Sequence, residues 1–124
     1  MIVTDTDVSP EQWSDGVRGR VGFRTLFGGG TRTTDSLTAG IGEMAPGDRL
    51  ERHRHDPAEV YYVLQGQGTL LVEGEKHAVC EGSAVFIPGN SEHALHNTGQ
   101  ETLRVFYTLA AGDFDQVDYR FSDD

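Results

Sequence analysis

The stretch from Gly47 to Gly66 constrains the fold of this chain more than any other. It places His53, His55 and Glu59 within seven residues, directly before a run of β-branched and aromatic side chains at 60–63. Two histidines at positions i and i+2 point to the same face only when the backbone is extended, because side chains alternate along a strand. The stretch therefore predicts extended segments that carry metal-binding side chains on one face.

The strand that contains Glu59 also predicts what surrounds this face. Alternation places Glu59 and Tyr61 on one face and Val60 and Tyr62 on the other. Pro57 precedes the strand and interrupts ladder pairing, so the spacing, rather than strict alternation, brings the histidines and Glu59 together.

A second stretch, Gly82 to Asn97, supplies a further candidate ligand. It has a buried-looking strand at Ala84–Ile87, a turn at 88–90, and then His93. The candidate metal ligands are His53, His55, Glu59 and His93. Three imidazoles and one carboxylate, without a thiolate, suit one divalent transition metal such as Fe, Mn, Ni, Co or Zn, and they leave the identity of the metal open.

The two stretches resemble the two sequence motifs of the cupins. The matching positions are Gly47, His53, His55, Glu59 and Gly66 in the first motif, and Gly82, Pro88, His93 and Asn97 in the second. Asn90 stands where the family usually has Gly, and Asn is the residue that best tolerates a positive φ apart from Gly. The resemblance implies an all-β, single-domain cupin over residues 1–124, a jelly-roll β-barrel with its motifs at 47–66 and 82–97.

The rest of the chain favours the same architecture, with short strands separated by glycine-rich turns. Further strands are predicted at 17–27, 36–45, 68–73, 76–80 and 103–109. Residues 1–16 are interpreted as an N-terminal arm without a sustained period, containing one helical turn and packing Trp13 on the barrel. Residues 112–124 are an acidic, aromatic tail that we expect to dock on the barrel or on a neighbour.

The charge balance excludes some partners. Ten Lys and Arg face twenty Asp and Glu, for a formal net charge of -10, which argues against nucleic acid and anionic membranes. No apolar run is long enough to span a bilayer, and Asp5 and Asp7 lie where a signal peptide would be basic or apolar, so a cytoplasmic protein is predicted. A homodimer is expected, because the apolar outer residues of the first strands and the aromatic tail need cover.

Four protein ligands leave one or two positions open on a six-coordinate ion. An open position on a dication is a Lewis acid that binds and polarises a small carboxylate, so an enzyme is favoured over a storage protein. Tyr61 shares the face of Glu59 and is a candidate general base, since a nearby dication favours the phenolate. The alternative is a core tyrosine whose hydroxyl is satisfied by hydrogen bonding.

Within the cupins, the chain looks most like the small lyases that cleave dimethylsulfoniopropionate. The matching residues are His53, His55, Pro57, Ala58, Glu59, Tyr61, Gly89, Asn90, Glu92, His93, Ala94, Leu95, Asn97, Gly99, Glu101, Thr102, Leu103, Phe114, Val117 and Tyr119. The resemblance implies a metal-dependent carbon-sulfur lyase that forms dimethyl sulfide and acrylate. It implies Tyr61 as the first choice of base, and Tyr119 as the second or as a substrate-positioning group.

Three other functions use the same ligands and stay open at this point. An iron-dependent cupin dioxygenase needs a redox metal, and a non-catalytic barrel binds a metal or small molecule without turnover. An isomerase or sugar-processing cupin tends to add basic residues for anionic substrates. Arg52 and Arg54 flank the histidines, but alternation predicts that both point away from the ligands.

Overall fold

Eleven strands form one curled antiparallel sheet in the computed structural model, which describes residues 1–123. The strands are β1 (Glu11–Asp15), β2 (Gly19–Phe27), β3 (Thr38–Met44), β4 (Arg49–Arg54), β5 (Glu59–Gln65), β6 (Gln67–Val72), β7 (Glu75–Cys80), β8 (Ala84–Ile87), β9 (His93–Asn97), β10 (Leu103–Leu109) and β11 (Arg120–Phe121). The helical elements of these residues are two 3-10 turns, Asp5–Asp7 and Phe114–Gln116. None of the helices in residues 1–123 is long and apolar enough to cross a membrane.

The order of the strands in the sheet explains how the two motifs meet. Neighbouring strands follow the order β7-β6-β9-β4-β2-β3-β10-β5-β8, with β1 added on β2 and β11 on β4. The strands β4 and β5 are consecutive in the chain, but three strands separate them in the sheet. The two strands of the first motif, β4 and β5, therefore face each other across the interior of a rolled sheet. The prediction of an all-β jelly-roll barrel is confirmed.

The interior of the barrel is built by alternation along each strand. In β10, Leu103, Val105, Tyr107 and Leu109 are buried, and the residues between them are half-buried. Leu103 and Leu109 are fully buried, which stabilises the fold by about 1.5–3 kcal/mol for each side chain. The predicted strand at 103–109 matches β10, because alternation of this kind is a local property of the sequence.

The N-terminal arm is more regular than the sequence indicated. Residues 11–15 form β1, which pairs with β2 so that Trp13 lies opposite Val21. This strand was not predicted, since Trp13 is the one large apolar side chain in it and no alternation is visible. Trp13 does pack on the barrel, against Phe23.

The C-terminal tail lies on the barrel of its own chain. Phe114 and Val117 pack against the core, and β11 pairs with β4 at His53 and Arg54. Arg120 donates hydrogen bonds to Asp56 and Asn90, at 3.0 and 2.6 Å. The last residue of the predicted tail, at position 124, lies outside the described residues. The tail thus covers the end of the barrel where the histidines lie.

The turn before His93 keeps the geometry that the second motif requires. Asn90 has a φ of 63°, the left-handed conformation expected of the residue that replaces Gly there. Its backbone N–H donates to the His55 carbonyl at 2.7 Å. This turn therefore ties the two histidine-bearing segments together.

Candidate metal centre and active site

Three histidines converge at the covered end of the barrel. His53 on β4 lies directly opposite His93 on β9, and His55 follows the end of β4. The ligand nitrogens of the three side chains lie within 4.8 Å of one another, and all three residues are buried. The pairing of β4 with β9 has a register shift between Leu50 and His53. Leu50 and His53 can therefore both face the interior, although they are three residues apart and strict alternation would place them on opposite faces.

The backbone fixes the protonation of each ring. The Nδ1 atoms of His53, His55 and His93 lie 2.7, 2.9 and 2.9 Å from the carbonyl oxygens of residues 51, 57 and 91. A carbonyl only accepts, so each Nδ1 carries a proton and donates it. Each Nε2 is then left with a lone pair, which is the arrangement of metal-binding histidines held by a carbonyl.

Glu59, the first residue of β5, lies next to this group of histidines. Its Oε1 atom lies 3.2 Å from Nε2 of His55 and 3.3 Å from Nε2 of His93. A nitrogen lone pair and a carboxylate oxygen at these distances repel each other unless a proton or a cation lies between them. The Nε2 atoms of His53 and His93 are buried and have no hydrogen-bond partner within residues 1–123. The three histidines therefore form a buried group that fits a metal ion, and the Glu59 carboxylate lies beside it.

The charges of the group favour a cation as well. Burial, followed by the neighbouring His93, lowers the pKa of His53 to about 3, so this ring is neutral at physiological pH. Burial raises the pKa of Glu59, but a proton between its carboxylate and the rings of His55 and His93, or positive charge on those rings, lowers it by more, so the net effect is a lowered pKa. A buried carboxylate is costly unless a positive charge balances it, and a dication provides that charge.

A small, mostly apolar cavity borders Glu59, the member of this group that contributes to its wall. Its volume is about 60 Å³, enough for about four water molecules. The apolar wall consists of Trp13, Val21, Phe23, Gly42, Met44, Leu50, Leu95, Val105 and Phe114. The polar side chains in the wall are Glu59, Tyr61, Tyr107 and Tyr119. No Lys or Arg lines this cavity among the described residues.

Both tyrosines singled out in the sequence contribute to the wall. Tyr61 points inward from β5, and its ring centroid lies 6.2 Å from that of His93. Tyr119 comes from the tail, with its ring centroid 5.3 Å from His53 and 4.8 Å from His55. Burial, followed by the charge of Glu59, raises the pKa of each phenol well above its usual value. Each phenol is therefore protonated at neutral pH unless a nearby cation stabilises its anion.

Three residues in the wall escaped the sequence analysis as site residues. Tyr107 lies in the predicted strand 103–109, but only the pairing of β10 with β5 shows that it borders Tyr61. Trp13 and Phe114 come from opposite ends of the chain, and their rings stack with centroids 6.3 Å apart. No local pattern could have indicated such a long-range contact.

The arginines beside the histidines lie outside the site, as alternation predicted. Arg52 and Arg54 both form ion pairs with Glu92, at 3.8 and 3.7 Å. Neither borders the cavity. The site therefore offers no guanidinium to an anionic sugar.

Comparisons with known proteins agree with this geometry. The family described as "Cupin domain" matches residues 40–114, which include both histidine-bearing stretches. The chain is a cupin. Dimethylsulfoniopropionate lyase DddW of Ruegeria pomeroyi is 38% identical over 109 residues, which cover 88% of this cupin and 71% of that lyase. A 5-nitrosalicylic acid 1,2-dioxygenase of Bradyrhizobium is 32% identical over 77 residues, which cover 62% of this cupin and 37% of the dioxygenase.

Solved structures support the fold alone. The polyketide cyclase RemF of Streptomyces resistomycificus superposes with a TM-score of 0.82 at 23% identity, covering 99% of this cupin and 85% of the cyclase. At this identity, the similarity carries no information about the reaction.

Proposed function

We propose that this cupin is a metal-dependent lyase that cleaves dimethylsulfoniopropionate, or a related small carboxylate, into dimethyl sulfide and acrylate. The observation that carries the proposal is that Tyr61 lines the same small apolar cavity as Glu59, with its ring centroid 6.2 Å from that of His93. The similarity to the Ruegeria lyase supports the choice of substrate.

The proposed metal ligands are His53, His55, Glu59 and His93. Their nitrogen and oxygen donors suit a divalent Fe, Mn, Ni, Co or Zn ion. When bound, such an ion supplies a Lewis acid that holds the substrate carboxylate and stabilises negative charge beside it. The carbonyls that accept from the three Nδ1 atoms keep the rings oriented toward one point.

Tyr61 is the proposed general base. Its phenolate oxygen takes the proton from the carbon next to the carboxylate, and the electron pair of that C–H bond forms the new double bond. The C–S bond breaks at the same time, and its electron pair leaves with the neutral sulfide. The raised pKa of the phenol makes its anion a strong base, although the anion forms only next to a positive charge. Tyr119, whose ring stacks on that of His53, is the second candidate or a substrate-positioning group.

The aromatic wall suits a sulfonium cation. Trp13, Phe23, Phe114 and Tyr119 border the cavity, and a cation over such a ring gains about 0.5–2 kcal/mol. A lining without Lys or Arg does not repel the cation. The cavity thus combines a carboxylate-binding end with a cation-accepting wall.

We also propose that the protein is a homodimer. The structure changes the basis of this proposal, since the aromatic tail packs on its own chain and needs no partner. The large apolar side chains that remain exposed on strands are Val60, Tyr62 and Phe86, among the described residues. The cytoplasmic location stays a prediction.

The decisive experiment is turnover with a defined metal. Protein loaded separately with each of the five metals is incubated with dimethylsulfoniopropionate, and dimethyl sulfide and acrylate are measured together with metal content. We expect equal amounts of both products with at least one metal, and loss of both metal and turnover in His93→Ala. The absence of sulfide with every metal would remove the lyase.

The dioxygenase is the second candidate, because of the partial similarity to the Bradyrhizobium enzyme. It predicts consumption of oxygen by the Fe(II)-loaded protein with an aromatic acid as substrate. The lyase consumes no oxygen, so measurements of oxygen uptake separate the two functions.

A further inference from the structure

The candidate metal ligands are closed off from solvent in this structure. His53, His55 and His93 are at most 1% exposed, and Glu59 is 4% exposed. The adjoining cavity of about 60 Å³ has room for about four water molecules, which is less than a carboxylate, its carbon chain and a dimethylsulfonium group need. A metal ion or a substrate of this size therefore reaches the site only when part of the wall moves.

The wall next to His53 is completed by the tail rather than by the continuous sheet. On the edge of β4 that faces away from β9, β2 pairs with β4 at Leu50. Farther along the same edge, β11 replaces β2 and pairs with β4 at His53 and Arg54. The strand β11 lies off the main path of the sheet, so it can leave without breaking the ladder between the other strands.

An open groove lies outside this part of the wall. It has a volume of about 570 Å³ and is lined by side chains of β1, β2, the turn between them and the tail. Trp13, Phe23, Phe114 and Tyr119 line both this groove and the inner cavity. These four side chains therefore stand between the groove and the cavity. Tyr119 also stacks on His53, with 5.3 Å between the ring centroids.

The tail is anchored firmly up to Val117 and more weakly beyond it. The Phe114 backbone N–H donates to the Gly28 carbonyl at 2.6 Å, and Phe114 and Val117 both pack on the core. Residues 118–123, here called the strap, contain the two-residue strand β11. The ion pair of Arg120 with Asp56 is exposed, and such pairs contribute little to stability. A segment held in this way opens locally at a lower free energy than the sheet.

We propose that the strap is a gate: it separates from β4 and withdraws Tyr119, and the outer groove then becomes continuous with the metal centre. The closed form excludes water from the site, and the open form admits the metal ion and a small ligand. The inference requires that the histidines bind a metal, as in the proposed function. It does not depend on which reaction the site catalyses.

Hydrogen exchange tests the opening itself, without metal or substrate. The Ser122 backbone N–H donates to the Arg52 carbonyl at 2.9 Å, so its exchange reports on separation of the strap from β4. This amide should exchange at least about 100-fold faster than the amides of β10, because local opening costs less free energy than opening of the central sheet. Exchange at the same rate in both segments would overturn the gate.

A disulfide between the strap and β4 tests whether the strap controls access. Arg54 and Arg120 lie directly opposite each other. The Cα atoms of such antiparallel neighbours are about 4.5–5.5 Å apart, which is within the range of a disulfide. Arg54→Cys and Arg120→Cys are combined in a Cys80→Ser background, because Cys80 is an exposed free thiol. The reduced form of the same protein is the matched control.

The readout is the rate at which a chromogenic chelator in excess removes zinc from the zinc-loaded protein. Oxidation of the double-cysteine protein should slow removal by about tenfold or more, because the ion then leaves only when larger parts of the molecule open. In the otherwise unmodified chain, Arg120→Ala should speed removal by about two- to fivefold, the range for loss of an exposed ion pair. Arg20→Ala, at an exposed arginine of β2 that does not line the groove, should leave the rate unchanged.

The outcomes separate the gate from the lyase. Equal zinc removal in the oxidised and reduced forms would overturn the gate, as would a failure of the unmodified protein to bind zinc. If the disulfide does not form, Ser122 exchange and the Arg120→Ala rate decide, and the gate fails if either is unchanged from its control. Slower removal after oxidation, without release of dimethyl sulfide by the unmodified protein, would keep the gate and remove the lyase. Release of sulfide with equal zinc removal would keep the lyase and remove the gate.

Discussion

The two faces of β5 have opposite environments. On the inner face, Glu59 and Tyr61 are 4% and 6% exposed, and they border the cavity. On the outer face, Val60 and Tyr62 are 40% and 45% exposed. Adjacent tyrosines thus have the same chemistry and opposite environments. Position in the pleat, rather than residue type, therefore decides which phenol faces the cavity.

The largest expected effect comes from the same substitution on these two faces. If the lyase proposal holds, Tyr61→Phe should lower kcat by about 10²–10⁴-fold, the range for loss of a general base, which is about 2.7–5.5 kcal/mol. Tyr62→Phe should leave kcat unchanged. Both variants keep the aromatic ring, so metal content and the thermal midpoint should stay close to those of the unmodified protein.

The result would also decide between the two candidate bases. Unchanged turnover in Tyr61→Phe, with a large loss in Tyr119→Phe, would transfer the base role to the tail. Equal losses in Tyr61→Phe and Tyr62→Phe would mean that the two faces are not functionally distinct, and the comparison would fail.

The inner face of β5 also shows how far the sequence could predict the site. Two local properties of the sequence were enough here: the two-residue spacing of His53 and His55, and the alternation that places Glu59 and Tyr61 on one face of a strand. The structure brings these side chains together. The motif resemblance added His93, which lies opposite His53 in the neighbouring strand. Local pattern and motif together were sufficient for the candidate ligands and the fold.

The rest of the site depends on pairings that no local pattern reveals. Tyr107 borders Tyr61 only because β10 inserts between β3 and β5 in the sheet. Trp13 reaches the cavity on β1, a short strand with polar neighbours on both sides. Such contacts depend on register and on tertiary packing, which override local propensity.

A smaller effect should separate buried from exposed histidines. In the metal-free protein, the lowered pKa of His53, about 3 against a usual value of 6.5, means that the unfolded chain binds a proton in this range and the folded chain does not. Stability is then fully present above pH 6.5 and falls as the pH decreases toward 3, by about 1.4 kcal/mol per pH unit for this group. The lowered pKa of Glu59 acts in the same direction below its usual 4.5.

Urea unfolding of the chelator-treated protein between pH 7 and pH 4 measures this slope. His53→Gln should flatten it, whereas His77→Gln, at an exposed position on β7, should leave it unchanged. A stability that does not vary with pH in the unmodified protein would contradict a neutral, buried His53.

The smallest expected effect on folding, and the one that tests the outer face, concerns the proposed homodimer. Val60 lies opposite Phe86 in the pairing of β5 with β8, so their exposed side chains are neighbours. If a second copy covers this face, Val60→Asp places an unpaired charge in the interface and should raise the dimer Kd by about tenfold or more, measured by sedimentation velocity.

Val17→Asp makes the same change at an exposed valine in a turn, and should not alter association. Both changes lie outside the core, so unfolding free energies should shift by less than about 0.5 kcal/mol. A monodisperse monomer would contradict the dimer, and a dimer that tolerates Val60→Asp would exclude this face as its interface.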